Sequence, residues 1–369
     1  MSRFDDLKDL DFTEQLSRLK WTVGSVVERD HDLIVVKIET RSGYNKSFQI
    51  NKEFYLIDKE ESVAQGAFGQ VFNAYFIDLS TAKLLNTDKR FIAKEIPKNK
   101  LSEKMVEQEV RRTDVHHFTA RVASTLFEKT SYIISEKLPG VPLTSLIPGT
   151  HEERLTASVA TLGLVERLTV VIALLDEVQL THNYTPSRGK PLIHSDIKGP
   201  NILVYVEPKR VSQVYARVTV NLIDFGISAE VPEDGGYTEK GGFSANYIGP
   251  ERYNRHNGVK SDVYSLVPVI AYVLGATEVM SNKSQHSFKG SPCTSDHPKA
   301  KANFNLANIF TDLNVSDEQK ERVISFMNGM QHSEYSERKS IDDCSKFFMG
   351  FQNELLDEVH NTVTEGFGY

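Results

Sequence analysis

Between Leu192 and Val204 the chain reads LIHSDIKGPNILV, which sets His194, Asp196, Lys198 and Asn201 among residues that are otherwise largely apolar. A polar loop joining two buried elements accounts for that composition. So does convergence on one reacting group. Asp196 would accept or orient a hydroxyl proton, Lys198 would neutralise charge on a transferring phosphoryl group, and Asn201 would offer an oxygen to a hard cation such as Mg2+. Further on, NLIDFGIS places Asp224 at the end of an apolar run and before a glycine. An aspartate there also serves as a turn former, but with Asn201 it makes a second oxygen donor. Phosphoryl transfer asks for this set, because it needs positioning and charge stabilisation and little covalent work by the protein.

Two earlier segments could serve the same chemistry. VAQGAFGQVF places Gly66 and Gly69 in a turn between strand-like runs. Glycine permits unusual backbone angles and leaves N–H groups free to approach phosphate oxygens, although a plain hairpin turn explains the pattern equally. The loop is neither GxGxxG, since position 64 is Ala, nor a Gly-Lys-Ser/Thr phosphate loop. RFIAKEI carries Lys94 on a strand, where alternation puts it on the face of Ile92 and Ile96. An inward lysine needs a partner, and the helical pattern that follows offers Glu107 and Glu109. An edge strand with a solvated lysine is the other reading.

The elements that must hold these residues follow from periodicity. Residues 4–20 repeat apolar positions at helical spacing, and 33–57 and 63–96 alternate as strands around the glycine turn. Lys104 to His116 reads as a helix with Ser102 as N-cap. The character changes near 136–140. Beyond it, Leu164–Leu180 and Asp262–Leu274 read as buried helices with short strands between them. The chain has 369 residues, 40% of them hydrophobic, which is ample for a large core. A net charge of −7 argues against a nucleic-acid-binding role. Two cysteines, Cys293 and Cys344, build neither a metal site nor a disulfide framework and point to a reducing, cytoplasmic compartment. The acidic N-terminus lacks a signal-peptide core, and the longest apolar stretch, Val263 to Leu274, is too short for a membrane span.

A glycine hairpin, Ala-Lys on a strand, Glu on a helix, His-x-Asp-x-Lys-x-x-Asn, Asp-Phe-Gly, Gly-Pro-Glu and Ser-Asp-Val-Tyr-Ser follow one another in order. Over roughly residues 55–350 the chain thereby resembles the eukaryotic-type protein kinase family, and the ordered set is far more specific than any member of it. The resemblance implies an α+β, bilobal protein-kinase-like fold with a β-rich N-lobe (59–135) and a mainly helical C-lobe (136–355); residues 1–58 have no counterpart in that pattern and are expected to form an N-terminal α/β extension packed on the small lobe, with 356–369 as a C-terminal tail. It implies ATP and Mg2+ as cofactors and a protein Ser/Thr acceptor as substrate, with no nucleic-acid partner.

By the same resemblance Gly66, Ala67, Phe68 and Gly69 would cover the phosphates. Lys94 would hold the α- and β-phosphates and pair with Glu109, or with Glu107. Ser135 would back the adenine pocket, the backbone of Glu136 and Leu138 would bind the adenine edge, and Val71, Ala93 and Leu203 would sandwich the ring. Asp196 would be the catalytic base, assisted by Lys198, with Asn201 and Asp224 as metal ligands. Glu251 would pair with Arg338, and Asp262 would brace the catalytic loop.

Three departures matter. Ala64 replaces the first loop glycine, Ser195 stands where the family usually has Arg before the catalytic Asp, and Gly249 and Val267 replace the usual Ala and Gly. The missing Arg normally receives a phosphate on the activation segment, here 227–248, so activity is expected not to require phosphorylation there. Together with the polar stretch after Gly275 and the private N-terminus, this resembles divergent kinases, including those that bacterial pathogens deliver into host cells, whose site of action is the host cytosol. Lys198, and Ser244 ahead of Glu251, resemble the Ser/Thr branch. Two rival readings remain: a small-molecule kinase of related fold, which shares His194, Asp196, Asn201 and Asp224, and a nucleotide-binding pseudokinase scaffold.

Overall fold

The computed structural model describes residues 3–18, 26–30, 32–42, 49–65, 69–85, 91–97, 105–106, 108–110, 112, 123–127, 130–143, 162–183, 191–207, 217–238, 247–276, 306–311 and 313–366. The chain forms two compact units, Met1–Leu138 and Pro139–Tyr369. The division falls in the stretch where the sequence changes character. Among the described residues no helix is long and apolar enough to cross a membrane.

The first unit opens with α1 (Arg3–Leu7) and α2 (Thr13–Arg18). The periodicity over 4–20 predicts one helix; the structure has two because Asp11 interrupts it. Its Oδ1 accepts from Thr13 N (2.8 Å) and Thr13 Oγ1 (2.6 Å), an Asx turn that redirects the chain into α2. The break is anchored by Phe12, fully buried, whose N–H donates to Ala82 O at 2.8 Å.

Strands β1 (Val26–Asp30), β2 (Leu33–Ser42), β3 (Gln49–Gln65), β4 (Gln70–Asp78), β5 (Lys83–Leu84), β6 (Phe91–Pro97), β7 (Ala123–Phe127) and β8 (Thr130–Glu136) build one antiparallel sheet, in the order β1-β2-β3-β4-β6-β8-β7 with β5 beside β4. β3 pairs with β2 along one edge and with β4 along the other, and its register shifts between Asp58 and Ala64. Residue 58, where the sequence expects an extension to give way to the core pattern, therefore lies inside a continuous strand. One face packs Leu33, Val35, Phe54, Leu56, Tyr75 and Ile77 under Leu7 and Phe12. The other face, with Ile34, Val36, Tyr55, Ile57, Phe72, Ala93 and Ile134, closes a second core as the sheet curls until β7 lies against β2.

Gly69, just before β4, is a glycine for a steric reason: a Cβ there would collide with the Glu95 carbonyl oxygen on β6. Gly69→Ala is expected to destabilise the first unit by about 1–3 kcal/mol, the usual range for an overpacked site, read as a lower denaturation midpoint at unchanged slope.

The second unit begins with β9 (Val141–Pro142), which pairs with β11 (Ile202–Val206); β12 (Val218–Leu222) completes that three-stranded sheet. α3 (Leu164–His182), β10 (Leu192–Ile193), β13 (Ala229–Glu230), α4 (Val259–Val273), α5 (Asp317–Met330) and α6 (Ile341–Gly366) complete it. α4 is buried almost throughout, and α3 buries about half of its residues while most of the rest are part-buried, which is why both read as apolar runs without a clean stripe. Arg167, 2% exposed, ties them: Nε donates to Leu162 O (3.0 Å) and Nη1 to Val273 O (3.3 Å), a cation at the carbonyl end of α4. α6 packs on α3 through Gln352, whose Nε2 donates to Val165 O and Thr169 Oγ1 at 2.8 Å. Residue 356 lies within α6.

Candidate active site

The second unit carries His194, Asp196, Lys198, Asn201 and Asp224. β10 delivers His194 and Ser195, and a single 3-10 turn, Gly199–Asn201, leads into β11. Asp262, in the first turn of α4 and fully buried, holds the segment from beneath. Its Oδ2 accepts from His194 N (2.7 Å) and meets His182 Nε2 (2.9 Å), while Oδ1 accepts from Ser195 N (2.9 Å). Burial pushes the Asp262 carboxyl up, but the bonds from His182 and Ser195 outweigh it and hold the group below the usual carboxylate value. These bonds also keep Ser195 at a φ of 70°, a left-handed backbone that a non-glycine residue adopts only when its surroundings impose it.

Asp196 is 7% exposed. Asn201 Nδ2 donates to its main-chain O (2.8 Å) and to Oδ2 (2.9 Å), and Lys198 Nζ lies 2.8 Å from Oδ2. His194 Nδ1 accepts from Asp196 N (3.3 Å), so its ring proton sits on Nε2, which bonds Ile223 O at 3.1 Å. Asn201 O in turn accepts from Ile223 N (2.9 Å), directly ahead of Asp224. The β11–β12 hairpin thus brings Asn201 and Asp224 to neighbouring ends of one ladder. Because Asp196 occupies the Asn201 nitrogen, the amide is oriented with Oδ1 left as its oxygen donor. Asp224 has a φ of 66°, and the Phe225 that follows is fully buried against His194, ring centroids 4.8 Å apart.

The first unit carries Lys94 and Glu109. Lys94 on β6 pairs with Glu109 Oε1 at 2.6 Å, with Glu109 3% exposed. The helical segment around Glu109 reaches the sheet through Val106 and Val110, which pack on Ile96 and Ile133. The ladder sets Val71 opposite Lys94, Lys94 opposite Ile133 and Ile92 opposite Ser135, so Val71, Ile92, Lys94, Ile133 and Ser135 share one face.

A family model described as Protein kinase domain matches residues 57–348, most of the chain. The chain belongs to the protein kinase family. Over 280 residues the chain is 28% identical to Calcium-dependent protein kinase 7 of Oryza sativa subsp. japonica, covering 73% of the chain and 44% of that protein. Over 119 residues it is 34% identical to Calmodulin-binding receptor-like cytoplasmic kinase 1 of Arabidopsis thaliana, covering 31% of the chain and 22% of that protein. The chain thus spans less than half the length of each of these relatives.

Set beside the fold, most of the residues the sequence points to fall at one of these two places. Asp196, Lys198, Asn201 and Asp224 cluster in the second unit, where Leu203 is part-buried on β11; Lys94, Glu109 and Val71 lie together in the first. Glu136 ends β8 and Leu138 follows it, both part-buried. Gly66, Ala67, Phe68, Glu107, Ser102 and Ser244 lie outside the described residues. Ala93 is a correction. It points away from Lys94 and is fully buried with Phe72, Tyr55 and Ile134, because strand parity sends neighbours to opposite faces. The residue on Lys94's face is Ile92.

Sequence reasoning missed Arg252, Asn257 and His182. Arg252 is 4% exposed; burial draws its pKa down while Asp262, Glu251 and Asp196 push it back up. Asn257, fully buried, donates from Nδ2 to Ser195 Oγ at 2.6 Å. Nothing local in the sequence marks His182 and Asn257, since their partners Asp262 and Ser195 lie dozens of residues away.

Proposed function

We propose that this kinase is an ATP- and Mg2+-dependent protein serine/threonine kinase whose activity does not require phosphorylation of its activation segment. The observation that carries the reading is the Asp196 carboxylate, held by Asn201 and Lys198 on a loop that Asp262 anchors. In this role Asp196 accepts the acceptor hydroxyl's proton as that oxygen attacks the γ-phosphorus, and Lys198 offsets charge on the transferring group. Asn201 Oδ1 and the Asp224 carboxylate are hard oxygen donors on adjacent strand ends, a donor set that suits Mg2+. The ion, when bound, neutralises charge on the phosphate oxygens. Lys94, aimed by Glu109, serves the α- and β-phosphates. Val71, Ile92 and Leu203 would line the ring of the base, with the backbone of Glu136 and Leu138 at its edge. Ser195 in place of arginine supports independence from an activating phosphate, and Lys198 and Ser244 support the Ser/Thr branch. We place the enzyme in a reducing compartment.

Incubating the pure protein with Mg-ATP and a generic basic acceptor protein tests this. Phosphate is expected on Ser or Thr, at a rate that prior phosphatase treatment leaves within about twofold. Phosphate appearing only on a small alcohol would favour a small-molecule kinase. No transfer with ATP still bound would favour a pseudokinase scaffold.

A further inference from the structure

Ser195 sits one residue before the proposed base, and its side chain has its own tether. Asn257 Nδ2 donates to Ser195 Oγ at 2.6 Å, and that oxygen donates onward to Ile193 O at 3.3 Å. Both residues are buried, Asn257 completely. Asn257 is itself fastened to the activation segment. Thr238 N donates to Asn257 O (2.8 Å) and Asn257 N to Thr238 O (3.0 Å), an isolated antiparallel bridge. Beside it Tyr237 stacks on His256, ring centroids 4.8 Å apart and planes 19° from parallel. Residues 237–238 are therefore held on 256–257 by two backbone bonds and a ring stack, and Asn257 passes that attachment to Ser195 through one side-chain bond. A second strut runs the same way: Ser228 Oγ, in the same segment and 1% exposed, donates to His194 O at 3.1 Å.

We propose that Asn257 is a positioning residue that couples the Thr238 end of the activation segment to the loop carrying Asp196, and that this neutral link does the work a phosphate and an arginine would otherwise do. The proposal rests on the kinase reading for the role of Asp196 and adds the means by which the loop is held without phosphorylation. The chemistry is consistent with constitutive activity. Every bond in the chain is between uncharged groups, so none waits for a modification. A buried amide whose acceptor is removed keeps its desolvation penalty, so the link resists opening. Ser195's left-handed backbone gives the link something to hold: released from Asn257, the residue has less to prevent relaxation towards an ordinary φ, and Asp196 would move with it.

The test compares phosphatase-treated wild type, Asn257→Ala, Ser195→Ala and the double variant. Each single variant is expected to lower kcat by about tenfold or more, the effect of leaving one buried partner unsatisfied, with KM for ATP within about threefold of wild type. The double variant is expected to be no worse than the worse single one, because both remove the same bond. Additive losses would overturn the coupling. Deuterium exchange without nucleotide reads the link independently of catalysis: amides of 194–198 and 237–238 should exchange faster in Asn257→Ala. Unchanged exchange at both segments would overturn the coupling whatever the activity. No transfer by wild type alongside faster exchange in the variant would sink the kinase reading, and with it the catalytic purpose of the link. If Asn257→Ala does not fold, Ser195→Ala opens the same bond from the other side and carries both readouts.

Discussion

Asp196→Asn is expected to lower turnover by at least about 10²-fold, the lower end of what a positioned general base contributes. The substitution keeps the shape of the side chain and an oxygen for Asn201 Nδ2 and Lys198 Nζ to meet, so it removes proton acceptance with little change in packing. Alanine would do more than that. It would strand the Asn201 amide beside an empty site and disturb the orientation of Oδ1, the proposed metal donor. The pair of variants therefore separates two roles. If Asp196 acts on the proton, the Asn variant loses rate by at least about 10²-fold and the Ala variant by that much or more, and Asp196→Asn still binds nucleotide. If Asp196 only anchors the loop, Asp196→Asn stays within about tenfold of wild type while Asp196→Ala fails. Steady-state phosphate transfer with a thermal melt of each variant decides it, and a near-normal rate in Asp196→Asn would remove the residue from the chemistry.

What could be read from the sequence was what is local. The pattern LIHSDIKGPNILV to NLIDFGIS contains a whole hairpin, so Asn201 and Asp224 could be paired on paper, and the β11–β12 register does bring them together. α3 and α4 were legible because apolar runs of that length have few other uses. Parity decided Lys94's side but was not carried one residue back: Ala93, chosen by its type, lies on the opposite face, and Ile92 should have been named. In the first helix, periodicity concealed an Asx turn whose signal, Asp-Phe-Thr, was present at Asp11 and Thr13. Asn257 had no such signal. Its partners Thr238 and Ser195 lie on segments whose proximity follows from the tertiary fold alone.

Arg338→Ala is expected to destabilise the second unit by about 3–5 kcal/mol, because it leaves Glu251 buried without its counter-charge. At about 2–4 °C per kcal/mol for a unit of this size, the melting temperature should fall by roughly 6–20 °C. The guanidinium does more than neutralise. Nη1 and Nη2 meet the two Glu251 oxygens at 2.9 Å each, Nη1 also donates to Lys260 O (2.8 Å), and Nε and Nη2 donate to His332 O (3.1 Å). Tyr264 lies under the cation at 4.9 Å. Lysine cannot supply that planar fork, so Arg338→Lys should recover only part of the loss. Replacing both charged partners with apolar residues should cost less than Arg338→Ala alone, since no charge is then left buried. The pH dependence follows from Glu251. Burial pushes its carboxyl up, but the bonds from Arg338 outweigh it and hold the group below its ordinary 4.5. A depressed folded value means that the stabilisation is complete above about pH 4.5 and is lost as pH falls through the folded value, because the unfolded glutamate takes up its proton first. In Arg338→Ala the largest opposition to burial is gone and only the Ser261 and backbone bonds remain against it, so the folded carboxyl accepts a proton more readily and much less of that loss follows. The gap between the two melting temperatures should therefore be widest above pH 4.5 and narrow below it; a gap that widens on acidification would show that the Glu251 pair is not what Arg338 contributes.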